Sequence, residues 1–258
     1  DPDRVAILDN FAWGDPGRPE RLGELVRAAR ACRDAATAFG APFISGKDSF
    51  HNEFTIGTRS IAVPPTLLIS AVGLVDDVSK CVTMDAKEPG NSIYILGKTH
   101  NELGGSIYYG VRGYIGNSVP RVRFEAAMKQ YRALHKAIRA GVVRACHDCS
   151  DGGLLTALAE MAFAGGLGMA VKARSVPGAG GVTRNDALFF SESNSRHVIE
   201  VEKGKEKRFR EIMKGLPCRK IGEVNSSGRL TVEGLGGGPV LNARIESLKE
   251  AWQKPFRW

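Results

Sequence analysis

The sequence predicts an α/β protein of two domains, and three observations predict it. Apolar runs too short for helices alternate with stretches that carry apolar residues at helical spacing. Two of those runs lead into polar segments built around glycine, Ser45-Gly46-Lys47-Asp48-Ser49 and His147-Asp148-Cys149-Ser150-Asp151-Gly152-Gly153. Between them, Lys87-Glu88-Pro89-Gly90-Asn91 has the composition of a linker, which places a boundary between residues 1–88 and 89–258.

Val5-Ala6-Ile7-Leu8 reads as a buried strand ending at Asp9-Asn10, which puts both polar side chains at its carboxyl end. Phe11 to Pro16 is a turn-rich loop. Residues 20–39 carry Leu22, Leu25, Val26, Ala29, Cys32 and Ala36 at helical spacing, and Gly40 is the stop signal. Pro42-Phe43-Ile44 is a short strand closed by Ser45-Gly46, so Ser45 to Ser49 reads as a tight polar loop. If the two strands are parallel, Asp9 and Gly46 lie at corresponding ends. Thr66 to Val75 is a strand long enough to cross a sheet, and Cys81 to Met84 is a shorter one.

The second domain opens with a buried strand, Ser92 to Gly97, followed by a glycine turn at 102–106 that lacks a dinucleotide-binding pattern. A helix over 124–140, a strand over Val142 to Cys146 and a helix over 154–164 come next. His197 to Val201 reads as a strand, and a basic amphipathic helix with Phe209, Ile212 and Met213 on one face follows it. Strand-like pieces at 219–224 and 229–233 and a glycine turn at 236–238 lead to the tail. That tail, ending Phe256-Arg257-Trp258, either docks as a helix or lies loose.

The two polar segments are the candidate sites. In the first, Gly46 removes a Cβ that would block close approach, and Lys47 supplies an ammonium, which suits a phosphate. The segment is not a P-loop: Ala41 stands where the first glycine belongs, and Asp48 stands where a metal-binding hydroxyl belongs. A plain surface turn rich in Gly, Asp and Ser remains the alternative. In the second segment, Asp148 and Asp151 could hold magnesium, and Ser150 with the following helix amino terminus could hold phosphate. Cys146-x-x-Cys149 has no second Cys or His pair at ligand spacing, which weakens a zinc or redox reading.

Composition narrows the class. The chain has 258 residues, 43% hydrophobic and 25% charged, which is ordinary for a soluble globular protein. No run approaches the roughly 20 apolar residues of a membrane span, and Asp1-Pro2-Asp3-Arg4 is not a secretory leader. The missing initiator Met and the abrupt entry into a strand are expected of a piece of something longer. Five scattered cysteines predict a reducing cytoplasm. A net charge of +8 without interleaved aromatics favours a solvated basic surface over nucleic-acid binding.

Taken together, Asp9-Asn10-Phe11-Ala12-Trp13-Gly14-Asp15-Pro16, Ser45 to Ser49 and His147 to Leu154 resemble the synthetase subunit of phosphoribosylformylglycinamidine synthase. Ala159-Glu160-Met161-Ala162-Phe163-Ala164-Gly165 and Ser191-Glu192-Ser193 extend the likeness over nearly the whole chain. The resemblance implies an incomplete ferredoxin-like domain followed by a larger α/β domain, as in the aminoimidazole ribonucleotide synthetase-like fold. It implies the conversion of formylglycinamide ribonucleotide, ATP and glutamine-derived ammonia to formylglycinamidine ribonucleotide, in which the γ-phosphoryl group activates the substrate amide oxygen. The implied partners are the missing amino-terminal module, a glutaminase subunit or domain and a small accessory subunit, with no nucleic acid and no membrane. ATP and Mg²⁺ are the implied cofactors.

The same resemblance implies residue roles. Asp9 and Gly46 match ATP-contacting positions, and Ser49 matches one that touches the ribonucleotide. Asp148 matches a magnesium position and Ser150 a nucleotide position of an auxiliary site. Lys47 stands where many short-form members carry Asn, a magnesium ligand. A cation cannot ligate a cation, so Lys47 is expected to meet phosphate directly, and Asp48 has no assigned role. The family's catalytic histidine lies in the first module and none of His51, His100, His135, His147 and His197 matches it, so this chain alone is expected to bind ligands without turnover. Two alternatives stay open. One is another ATP-using enzyme of the superfamily, an aminoimidazole ribonucleotide synthetase, a selenophosphate synthetase or a hydrogenase-maturation dehydratase. The other is a non-catalytic half that keeps a structural nucleotide.

Overall fold

A computed structural model describes residues 1–256, and the chain separates into two units, Asp1–Asp76 and a larger one that begins at Asp77. The first unit is built on β1 (Val5–Ala12), with α1 (Pro19–Phe39), β2 (Phe43–Ser49), the hairpin β3 (Glu53–Ile56) and β4 (Arg59–Ala62), and β5 (Thr66–Gly73). Its sheet has the order β2-β1-β5, with β1 parallel to β2 and antiparallel to β5. Pro19 starts α1, and Gly40 ends it at φ 64° with its N–H turned back to the carbonyls of Ala36 and Thr37. Trp13 ties the sheet to this helix, its ring nitrogen donating to the Arg21 carbonyl at 3.1 Å.

Two expectations are corrected here. Ser45 to Ser49 is not a loop, because β2 continues through it, pairing Ser45, Gly46, Lys47, Asp48 and Ser49 with Leu8 to Ala12 in parallel register. The ladder with β1 pairs the inward-pointing backbone groups of this edge strand, and that outweighs the turn preference of Gly, Asp and Ser. For the same reason Asp9 and Asn10 lie within β1, not at its end. Cys81 to Met84 is not a strand either. A 3-10 turn at Val78–Lys80 precedes it, and a single bond from the Cys146 N–H to the Thr83 carbonyl ties it down.

The second unit contains β6 (Ser92–Leu96), α2 (Ile107–Gly110), α3 (Phe124–Arg139), β7 (Val143–Asp148), α4 (Gly153–Gly165), β8 (Gly168–Lys172) and α5 (Asn185–Phe190). It continues with β9 (His197–Val201), α6 (Glu206–Ile212), β10 (Cys218–Asn225), β11 (Arg229–Glu233), β12 (Pro239–Arg244) and α7 (Ile245–Gln253). A 3-10 turn at Lys254–Phe256 follows, while Arg257 and Trp258 of the expected tail lie outside the described residues. The sheet order is β12-β11-β8-β10-β6-β9-β7. Every residue of β6 is buried because both faces of the sheet are covered. Ile93 and Ile95 pack with Leu154, Leu158 and Met161 of α4, and Tyr94 and Leu96 pack with Leu134, Ala137, Phe209 and Met213 of α3, α6 and the turn after α6.

The segment between Asp77 and β6 is bound to this second core. Ala86 donates to the Met161 carbonyl at 3.0 Å, and Gly165 fits against it so closely that a Cβ there would stand 2.2 Å from the Ala86 oxygen. Glu200, fully buried in β9, accepts the Lys87 N–H at 2.8 Å, the Glu88 N–H at 3.1 Å and the Asn91 side-chain amide at 2.6 Å. A buried carboxylate is tolerable only with such donors, and these three anchor what composition reads as a linker.

Candidate functional site

Within the first unit, alternation along the strands sorts the candidate residues by face. Asp9 and Gly46 are register partners and share a face. A Cβ on Gly46 would lie 2.4 Å from Asp9 Oδ1, so the glycine makes room for a carboxylate of its own chain. Asp9 also raises the pKa of the α1 thiol Cys32, after burial, which marks this as the face that α1 covers. Lys47 and Ser49 alternate to the opposite face, where the Lys47 ammonium donates to the Ser49 hydroxyl. The four residues therefore form two pairs, one on each side of the sheet. Glu53, not singled out by the sequence, organises the neighbouring turn by pairing with Arg21 and accepting the Asp15 N–H and the Ser60 hydroxyl.

In the second unit, β7 delivers His147 and Asp148 to its carboxyl end, and Cys149, Ser150 and Asp151 turn the chain into α4. Gly152 and Gly153 both have positive φ, 75° and 70°, and a Cβ on Gly153 would stand 2.6 Å from the Ser191 carbonyl. Only glycine allows the helix start to approach the Ser191-Glu192-Ser193 segment this closely. Glu192 completes the join, its Oε1 accepting the Gly152 N–H at 2.8 Å and the Ile107 N–H at 2.9 Å.

Asp148, Ser150, Asp151, Glu192, Arg196 and His197 line one cavity of about 690 Å³. The Arg196 guanidinium is 1% exposed and donates to the Ser193 carbonyl at 3.0 Å, to Thr99 Oγ1 at 3.0 Å and to the Ser191 carbonyl, while burial lowers its pKa. His197 stands beside Asp148 in the β7–β9 register and packs edge-on against Tyr131. Its Nδ1 is buried and has no hydrogen-bond partner among the described residues, and burial lowers its pKa. The arrangement can receive an anion through backbone and hydroxyl donors and can hold a cation at two carboxylates.

Burial pushes the Cys146 thiol up to about 12 and the Cys149 thiol up to about 11, which holds both as inert thiols. Among the described residues no group of three or more His, Cys, Asp and Glu side chains is placed to hold a metal. Asp148 and Asp151 are two carboxylates on one wall, the number magnesium commonly takes beside phosphate oxygens and water.

Residues 88–234, more than half of the chain, match the family model described as AIR synthase related protein, C-terminal domain. The chain belongs to the AIR synthase related family. Within that family it is similar to phosphoribosylformylglycinamidine synthase subunit PurL of Deinococcus radiodurans, 34% identical over 259 residues, which cover 98% of this chain and 34% of that protein. PurL of Rhodopseudomonas palustris is 35% identical, with 96% of this chain and 32% of that protein covered. The chain thus spans about a third of the length of the curated relatives it matches.

Solved structures share the family fold. T. maritima PurL complexed with FGAR superposes with a TM-score of 0.70 at 20% identity, over 95% of this chain and 39% of that one. Hydrogenase maturation protein HypE in complex with ATP gives 0.66 at 17% identity, over 93% of this chain and 73% of that one. Both likenesses are of the fold, and both fit the expected α/β class.

Sequence reasoning did not reach Arg196, His197 or Tyr131 as site residues. Arg196 and His197 follow two residues after the Ser191-Glu192-Ser193 cluster, but only the β7–β9 pairing brings His197 beside Asp148, and the Arg196 carbonyl accepts the Cys149 N–H next to it. Tyr131 sits on α3, far away in the chain, and nothing local marks it.

Proposed function

We propose that this chain is the carboxyl-terminal portion of the synthetase of phosphoribosylformylglycinamidine synthase, a cytoplasmic ATP-dependent ligase of purine biosynthesis. The reading is supported by one observation above the rest: Asp148, Ser150 and Asp151 meet on one cavity at the start of α4, in a chain that aligns over 98% of its length with a PurL subunit. Its substrates are then formylglycinamide ribonucleotide, ATP and glutamine-derived ammonia. Its partners are an amino-terminal module, a glutaminase and a small accessory subunit. Five free cysteines suit a reducing compartment.

Each residue has a role that its placement supports. The Ser150 hydroxyl receives a phosphate oxygen, while Glu192 and the Ser150 carbonyl hold the Gly152 and Gly153 N–H groups at the helix start. Asp148, with Asp151, would hold Mg²⁺, which when bound neutralises phosphate charge. Lys47 donates to a phosphate and Ser49 to the ribonucleotide from the same face of β2, so their mutual hydrogen bond is the contact a ligand replaces. The ATP contacts of Asp9 and Gly46 belong to the other face and to a different part of the nucleotide.

The test is calorimetric titration of the 258-residue chain with Mg·ADP. Lys47→Ala is expected to weaken binding at the first unit's site about tenfold or more, and Ser150→Ala binding at the auxiliary site of the second unit, since a charge-assisted hydrogen bond contributes roughly 1.5–3 kcal/mol. The chain by itself is expected to form no formylglycinamidine ribonucleotide. Product formed by the chain alone, or an ADP affinity indifferent to both substitutions, would overturn the assignment.

A further inference from the structure

Two adjoining cavities in the second unit share no residue with the one described above. One, of about 480 Å³, is walled by the glycine-rich loop 175–180 together with Arg174, Arg219 and Lys220. The other, of about 540 Å³, is walled by the end of α6 and the turn after it, and again by Arg219 and Lys220. Arg174, Arg210, Lys214, Arg219 and Lys220 line the pair, and no carboxylate does. Lys220 is offset by Glu223 at 2.5 Å and Arg210 donates to Tyr94 Oη at 3.3 Å. Lys214 and Arg219 make no side-chain ion pair or hydrogen bond among the described residues.

The backbone explains why the cations converge. β8 pairs with β10 only from Gly222 onward, so residues 218–221 present an open edge on that side. A bulge between Lys220 and Gly222 interrupts the β10–β6 register at the same place. Arg219 and Lys220 lie just before that bulge, at the end of the unpaired stretch, and both line both cavities. Five cations gathered without a lining carboxylate repel one another, and a polyanion relieves that repulsion.

The two halves differ in character. The cavity under α6 has an apolar floor of Met213, Leu216 and Cys218 over the tilted Tyr94–Phe209 ring pair, whose centroids are 4.8 Å apart. The other is walled by glycine backbone and guanidinium groups. Each is of small-molecule size, too small for a folded partner. We propose that this paired cavity is a further nucleotide site, separate from those at Lys47 and Ser150, taking a nucleoside polyphosphate with the base over Met213 and Leu216 and the phosphates on Arg174, Arg219 and Lys220. With no carboxylate to hold a metal, the site binds its nucleotide without a divalent cation.

The experiment titrates ADP in EDTA into the chain carrying Lys47→Ala and Ser150→Ala, which together with removal of the metal weaken the nucleotide sites proposed for the first and second units. One saturable equivalent of ADP is expected to bind, to weaken at least tenfold when Arg219→Gln and Lys220→Gln are added, and to weaken as salt is raised. Both added substitutions are at exposed positions, and an unchanged melting temperature checks that the fold is kept. No binding in that background, binding indifferent to the added pair, or ADP no tighter than inorganic pyrophosphate would each overturn the proposal. Failure of the first site leaves this outcome untouched, so the two readings fail separately.

Discussion

His197 is the residue at which the cavity's chemistry meets the stability of the fold. Its pKa is lowered from 6.5, first by burial and then by His147, against an opposing pull from Asp148. Above 6.5 both the folded and unfolded chains hold it neutral, and its contribution to stability is complete. As pH falls through 6.5 the unfolded chain takes the proton first, so stability drops until the lowered folded pKa is passed. His197→Gln, which cannot titrate, is expected to flatten that part of the acid limb. The check is the melting temperature of both proteins across the acidic range, and parallel curves would remove His197 from the account. Gly153 is the second such residue: its positive φ and its approach to Ser191 have nothing to do with flexibility and everything to do with bringing Glu192 onto the start of α4.

At the scale of elements, β9 does two tasks. Its first residue, His197, faces the cavity, and Glu200 three positions on holds the segment 87–91 by three hydrogen bonds. Glu200→Ala strands three donors, one of them on the buried Asn91, and is expected to cost about 1–3 kcal/mol, read as a lower urea midpoint. Glu200→Gln keeps an acceptor oxygen and is expected to recover part of the loss. Equal midpoints for all three proteins would show that water satisfies the donors and that the anchor is not needed. The stretch of β10 left unpaired by β8 is the other element with a consequence, since it contains Arg219 and Lys220.

For the whole molecule, the question is where the second unit begins. Reading the linker composition puts the boundary at 88/89, the family model begins at 88, and the contacts divide the chain at Asp76 and Asp77. We propose that the earlier point is the folding boundary, because Ala86, Lys87 and Glu88 are bonded into the second core. A fragment starting at Asp77 is then expected to unfold cooperatively at a midpoint several degrees above that of one starting at Pro89, by the size dependence of melting on roughly 2–4 °C per kcal/mol. Identical melting curves would favour the later boundary. The first unit differs in kind: α1 has no buried residue, and Phe43, Ile44, Leu68 and Val72 of its sheet are exposed.

By itself the sequence determined the α/β class, the long helices α1, α3 and α4, the strands β6, β9 and β11, and the two polar segments that carry the site residues. These are legible because helical spacing, apolar runs and glycine stops are local properties of the chain. The tertiary structure alone decided that Ser45 to Ser49 is strand, that Asp9 and Lys47 face opposite ways, and that His197 stands beside Asp148. It also decided that the apparent linker is anchored by Glu200. Each of these depends on which strand lies next to which and in what register, and a local pattern contains no information about its partner across a sheet.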